Sequence, residues 1–169
     1  MKYIICDNII LKDISEEEYY ERSNAQEREA PIWGLIESLE QSPQSEKFSD
    51  ASRLMTDMII SMRHNVRAFG LFDGENYIGY VALSKTNTPI PEIHIELCEE
   101  YRRRGIGTRA LRLLIKEAFR NERNDFLVYH VHSENVAGIA LAKKCGGVFV
   151  EKDSFHDFDR CYHFYRSTK

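Results

Sequence analysis

The spacing of apolar positions changes character several times along the chain. The first residues alternate weakly and predict one or two short strands, with Ile9-Ile10-Leu11 the firmer part. Ser15 followed by Glu16-Glu17-Glu18 predicts a capped helix start whose acidic residues face the positive end of the helix dipole. After Pro31, the residues Ile32, Leu35, Ile36 and Leu39 fall three or four apart and predict a helix that ends near Gln41 to Ser45. Ala51, Leu54, Met55, Met58, Ile59 and Met62 repeat at the same period and predict a stronger helix from Ser49 to Arg63.

The pattern turns to strands after that. Val66 to Phe72, Tyr77 to Leu83 and Glu92 to Cys98 read as an antiparallel meander, with Asp73-Gly74-Glu75-Asn76 as a hairpin turn and Lys85 to Pro89 as a loop. Helical spacing returns at Ile106, Ala110, Leu113, Leu114 and Phe119. A strand from Phe126 to His132 follows, then a helix behind Asn135 that Gly146-Gly147 stops. Val148 to Val150 and Cys161 to Tyr165 close the chain as two strands joined by a charged loop. This order predicts a mixed α/β fold in a single domain over residues 1–169.

Composition narrows the partners. With 43% hydrophobic and 30% charged residues, the chain is neither collagen-like nor wholly disordered. Lys plus Arg number 23 against 27 Asp plus Glu, a formal charge of -4, which argues against general nucleic-acid binding despite the run Arg102-Arg103-Arg104. No apolar run is long enough to span a bilayer, and the first residues turn charged too soon for a signal peptide. The expectation is a soluble, cytoplasmic protein with no membrane partner. Cys6, Cys98, Cys145 and Cys161 stand far apart without metal-ligand spacing, so free thiols and no metal are expected.

The segment Arg102-Arg103-Arg104-Gly105-Ile106-Gly107-Thr108 carries the chemistry. A strand ends, two glycines flank one residue, and an amphipathic helix begins. Glycine there lets the main chain approach a ligand, and the unpaired first-turn N–H groups with the helix dipole suit a pyrophosphate. No Lys-Ser/Thr follows the glycines and no G-x-G-x-x-G is present, which excludes the triphosphate and dinucleotide loops. A dinucleotide fold would also place such a loop after its first strand.

Arg102, Gly105 and Gly107 match the motif Arg/Gln-x-x-Gly-x-Gly/Ala, and the chain resembles the GNAT superfamily of N-acetyltransferases. Downstream, Asn135, Lys144 and Gly146 match the family pattern Asn-x-x-Ala/Ser-x-x-x-Tyr-x-Lys-x-Gly-Phe, whereas Gly138, Ala142 and Gly147 depart from it. The stretch from Pro91 to Leu111 looks closest to the branch that acetylates ribosomal-protein N-termini and related amines. The resemblance covers about residues 66 to 152.

It implies a twisted, mostly antiparallel mixed sheet flanked by helices. The central fourth and fifth strands, Glu92 to Cys98 and Phe126 to His132, would be parallel and splayed. It implies acetyl-CoA as cosubstrate and no metal. The pyrophosphate would lie on Arg102, Arg103, Arg104, Gly105, Ile106, Gly107 and Thr108, the pantetheine along the strand ending at Leu97, and Asn135 would assist.

Acetyl transfer to an amine requires a neutral attacker, hence a base or a held water. Glu92, His94 and Glu96 share one strand face, which reads either as a solvated edge or as a polar cleft. On the cleft reading His94 and Glu92 are the first catalytic candidates and His132 the third, with His130 on the same face as His132. In the family the first helices and the last hairpin wall the acceptor site. Here they carry Glu16, Glu17, Glu18, Glu21, Asp153, Asp157 and Asp159, which favours a cationic amine: a peptide N-terminus, a polyamine or an aminoglycoside. A monomer or homodimer is expected. The alternative is a non-catalytic acyl-CoA-binding regulatory domain, motivated by Ala142 where the family pattern has Tyr, with Tyr129 or Tyr162 as substitutes.

Overall fold

The computed structural model describes residues 2–6, 8–23, 65–120, 123–150 and 160–166. The helices expected between residues 31 and 63, and the loop that carries Asp153, Asp157 and Asp159, lie outside the described residues. In chain order the elements are β1 (Lys2–Cys6), β2 (Ile9–Ile14), α1 (Glu16–Arg22), β3 (Arg67–Asp73), β4 (Asn76–Ser84) and β5 (Glu92–Leu97). They continue with a 3-10 turn (Glu99–Tyr101), α2 (Ile106–Ala118), β6 (Phe126–Val131), α3 (Val136–Lys144), β7 (Val148–Val150) and β8 (Arg160–Tyr165).

The eight strands form one open sheet in the order β1-β2-β3-β4-β5-β6-β8-β7. Every neighbouring pair is antiparallel except β5 and β6, which run parallel. The mixed α/β fold and the parallel central pair agree with the sequence. Because the chain opens with two strands, that pair is the fifth and sixth, not the fourth and fifth.

Local chemistry explains the boundaries. Ser15 accepts a hydrogen bond from the N–H of Glu18 at 3.0 Å, so α1 starts where its first-turn donors are satisfied. Gly74, at φ 61°, makes the left-handed turn between β3 and β4. Five successive residues of β3, Ala68 to Phe72, are buried because the sheet is covered on both faces. Phe69 and Leu71 join Ile106, Ala110, Leu111 and Leu114 of α2 on one face. Ala68, with Tyr80 and Ala82 of β4, meets Tyr19 and Tyr20 of α1 on the other. Tyr19 and Tyr80 touch edge to face at 5.2 Å.

The inner stripe of α2 differs from its expected face. Leu111 is fully buried, while Leu113 and Phe119 only flank the core. Glu117 is buried as well, with its carboxylate 2.8 Å from Arg120 and 3.7 Å from Arg67. Cys98, Cys145 and Cys161 are free thiols. Among the described residues no helix is long and apolar enough to cross a membrane.

Candidate active site

The seam between β5 and β6 organises the site. On its β4 side β5 is paired along its whole length, from Ser84↔Glu92 to Gly79↔Leu97. On its β6 side one residue pair is in register, Glu92↔Val128, backed by a bond from the N–H of Val128 to Pro91 O at 3.0 Å. Beyond that vertex the two strands part, so Ile93 to Leu97 present a strand edge that β6 does not cover. Such an edge offers main-chain donors and acceptors to an extended ligand.

The open edge runs up to the glycine loop. Gly105 stands at φ 78°, in the left-handed region, with open space where a Cβ would project. It precedes Ile106 at the start of α2 and brings no side chain to cap the helix. The first-turn N–H groups are therefore left for an anion. Arg103 is also left-handed, at φ 62°. Arg102, Arg103 and Arg104 are exposed, but Arg102 has a defined partner: its Nε donates to Leu97 O at 2.9 Å. The guanidinium of Arg104 lies 5.2 Å from the ring of Tyr101, whose hydroxyl donates to Asp73 at 3.2 Å.

Gly107 serves a different purpose from Gly105. A Cβ on it would stand 3.3 Å from Leu97 Cδ1 and 3.6 Å from Ile95 Cδ1, with Leu141 of α3 at 4.0 Å. This glycine lets the start of α2 settle on β5 and α3, and Ile106 beside it is buried. Thr108 accepts at its main-chain oxygen from Cys145 Sγ at 3.7 Å. Asn135 caps α3, accepting from the N–H of Gly138 at 2.8 Å. Gly138 replaces the family's Ala or Ser where a Cβ would meet Val131 Cγ2 at 2.7 Å.

The opposite face of β5 carries the titratable groups. Glu92 and His94 alternate with the core residues Ile93 and Ile95, and Glu96 is exposed beyond them. His94 Nε2 is 2.8 Å from Ser84 Oγ. Glu92 Oε1 accepts from Lys85 Nζ and lies 3.8 Å from His130 Nε2. His132, the third candidate, sits past the end of β6 and is exposed. His130 is the β6 histidine that the fold brings to Glu92, a contact that strand parity alone does not distinguish. Among the described residues no group of three or more His, Cys, Asp or Glu side chains is placed to hold a metal ion.

The departures in α3 are matched by aromatic residues from the neighbouring strands. Ala142 is fully buried in one cluster with Tyr129 of β6 and with Tyr162 and Phe164 of β8. Phe164 Cζ stands 2.9 Å from where a Cβ of Gly147 would lie. Burial pushes the Tyr129 hydroxyl up to about 12, with a smaller push from Cys145. The Cys145 thiol is raised too, by burial first, with Arg112 and Lys144 pulling the other way. Burial likewise raises Tyr77, the most buried of the groups near Glu96 and Glu18.

Comparison with known proteins agrees with this geometry. No curated protein matches the chain. Among solved structures it is similar to RimL, a ribosomal alpha-N-protein acetyltransferase in complex with coenzyme A, at 12% identity and a TM-score of 0.59, covering 98% of each chain. It is similar to a ribosomal-protein alanine acetyltransferase from Vibrio fischeri, at 16% identity and a TM-score of 0.61 over 98% of this chain and 96% of that one. A dodecameric spermidine N-acetyltransferase from Vibrio cholerae aligns at 16% identity and a TM-score of 0.55, over 94% of both chains. At such identities these likenesses establish the fold. The model of the acetyltransferase (GNAT) family matches residues 17–147, most of the sequence, and the chain belongs to that family.

Proposed function

We propose that this chain is an acetyl-CoA-dependent N-acetyltransferase, acting as one domain over residues 1–169, that moves the acetyl group directly to a primary amine. The observation that carries the reading is the continuity of two binding features: the edge of β5 left open from Ile93 to Leu97, and the uncapped start of α2 at Gly105. Both are apt for the cosubstrate. The open edge suits the amide-bearing pantetheine arm, and the α2 N-terminus with the exposed Arg102, Arg103 and Arg104 suits the pyrophosphate. When bound, acetyl-CoA supplies an activated acyl carbon.

The chain's own residues supply proton handling and orientation. An ammonium must lose a proton before it attacks. His94 is placed for that task on the polar face of β5, its ring fixed by Ser84. Glu92, already engaged by Lys85, is less apt as the base itself. The acceptor is a cationic amine: a peptide N-terminus, a polyamine or an aminoglycoside. An alpha-amine has a pKa about two to three units below that of a lysine amine, so it reaches the neutral form more readily near neutrality. Glu16, Glu17, Glu18 and Glu21 of α1 and the exposed Glu96 supply negative charge toward which such an amine is drawn.

The test is release of free thiol from acetyl-CoA, with a serine-initiated peptide, spermidine and kanamycin as acceptors, beside calorimetric titration with CoA. Turnover with any amine supports the transferase reading. Tight CoA binding with no turnover in the panel would give the regulatory acyl-CoA-binding alternative its place.

A further inference from the structure

Two imidazoles flank the vertex of the β5–β6 seam. Parallel strands advance together, so two residues beyond the pair Glu92↔Val128 the facing positions are His94 and His130. Both side chains lie on the face away from α2. They have different anchors: His94 Nε2 is held at 2.8 Å from Ser84 Oγ, and His130 Nε2 stands 3.8 Å from Glu92 Oε1, an ion-pair distance. The His130 and Glu92 side chains are 10% and 19% exposed, so their interaction is only partly screened. Lys85 adopts a left-handed φ of 53° at the turn after β4, and its ammonium reaches the same carboxylate oxygen. A non-glycine residue held in that region marks a turn that its surroundings fix.

We propose that His130 carries the second proton of acetyl transfer, with Glu92 as its positioning residue. The inference rests on the transferase reading above. The acceptor nitrogen, entering as an ammonium, must lose two protons on its way to an amide. The first passes to His94 before attack. The C–N bond then forms and the C–S bond breaks, its electron pair remaining on sulfur. The second nitrogen proton passes to His130 and from there to that sulfur, so CoA leaves as a thiol. His94 returns the first proton to solvent. A single imidazole that already holds the first proton has no site for the second, which is why the pair matters. Glu92 orients the His130 ring and offsets the charge it acquires, as a carboxylate does for a relay histidine.

The titratable and charged groups that face His130 are Glu92 and His94 on β5, Lys85 after β4, and Cys161 and His163 on β8. The proposal is tested with the wild type and the variants His130→Gln, Glu92→Gln and Glu92→Asp, assayed with acetyl-CoA and both a serine-initiated peptide and spermidine. His130→Gln is expected to lower kcat about a hundredfold and to remove one limb of the pH–kcat profile, while CoA affinity and the acceptor KM stay near wild type. Glu92→Gln is expected to lower kcat about tenfold and Glu92→Asp to recover most of that loss. Proton NMR of the ligand-free chain gives a readout apart from activity: the His130 ring signal should titrate at lower pH in Glu92→Gln than in the wild type.

Full turnover of His130→Gln with an unchanged pH profile overturns the proposal. So does a loss of kcat matched by equal losses of CoA affinity and melting temperature, which is the signature of a clamp holding β6 to β5. If the wild type is silent with both acceptors, the transferase reading falls and takes this inference with it; an active wild type separates the two failures.

Discussion

Arg102 donates from Nε to the main-chain oxygen of Leu97 at 2.9 Å, tying the loop ahead of α2 to the last residue of β5. The two binding features of the site, strand edge and helix start, are held at a fixed spacing by this one guanidinium. The residue is exposed, so its charge alone would act only through a screened field.

Replacing Arg102 should therefore do more than remove a charge. Arg102→Ala is expected to weaken CoA binding about fivefold, near 1 kcal/mol for an exposed charge-assisted hydrogen bond. Most of the loss should persist at high salt. Arg104→Ala leaves the Leu97 contact intact, and its smaller effect should fade as salt is added. Calorimetric titration with CoA at low and high ionic strength separates the two. Equal salt sensitivity in both variants would show that Arg102 acts as a point charge.

Glu117 gives a stability prediction away from the site. Its carboxylate is 4% exposed and lies against two guanidinium groups, Arg120 at 2.8 Å and Arg67 at 3.7 Å, which are themselves half exposed. Removing the acid lets both arginines turn to water, so Glu117→Gln should cost about 1 to 2 kcal/mol. Removing both cations strands a buried charge, so Arg67→Ala with Arg120→Ala should cost more, about 3 kcal/mol. Urea unfolding of the three proteins measures the asymmetry. A double variant no weaker than Glu117→Gln would contradict it.

His163 sets a pH dependence. It stacks on Phe126 at 4.5 Å, and burial holds its imidazole below the ordinary value. The folded state thus favours the neutral ring. Above the unfolded value, about 6.5, both states are neutral and the full contribution is present. As pH falls, the unfolded chain takes up the proton first, and stability declines until the folded ring is protonated too. The melting temperature should fall between about pH 7 and about pH 5, and less steeply in His163→Gln. Parallel slopes in the two proteins would remove His163 as a cause.

Local signals in the sequence were enough for most of the described elements. Ser15 with its acidic followers marks α1, Asp73-Gly74 marks the hairpin, and Gly105 marks the start of α2, because each acts through its own backbone or near neighbours. Contacts across the sheet were not legible in this way. His130 and His132 share a strand parity, so a period of two places both on one face. Only the register Glu92↔Val128 and the end of β6 at Val131 decide that His130 meets Glu92. Gly107 shows the same limit. Its spacing from Gly105 suggests ligand approach, yet the structure spends it on packing against Leu97 and Ile95. The burial of Glu117 breaks the polar pattern of α2 and depends on Arg67, fifty residues earlier in the chain.

Ala142 yields the sharpest test of how this chain departs from the family pattern. Its side chain is fully buried among Tyr129, Tyr162 and Phe164, so the room that a tyrosine at position 142 would need is already filled from β6 and β8. Ala142→Tyr should accordingly destabilise the fold by about 1 to 3 kcal/mol through overpacking. Tyr162 fills part of that space at a cost of its own, because its hydroxyl is buried with no hydrogen-bond partner among the described residues. Tyr162→Phe keeps the ring and deletes the unsatisfied oxygen, so it should be neutral or stabilising by up to about 1 kcal/mol. If the two sites compete for one volume, Ala142→Tyr combined with Tyr162→Ala should be less destabilised than the two single losses added together. Urea unfolding of the four variants reads all of these values. Additive losses in the double variant would mean that position 142 has room of its own, and that a tyrosine there is excluded for some other reason.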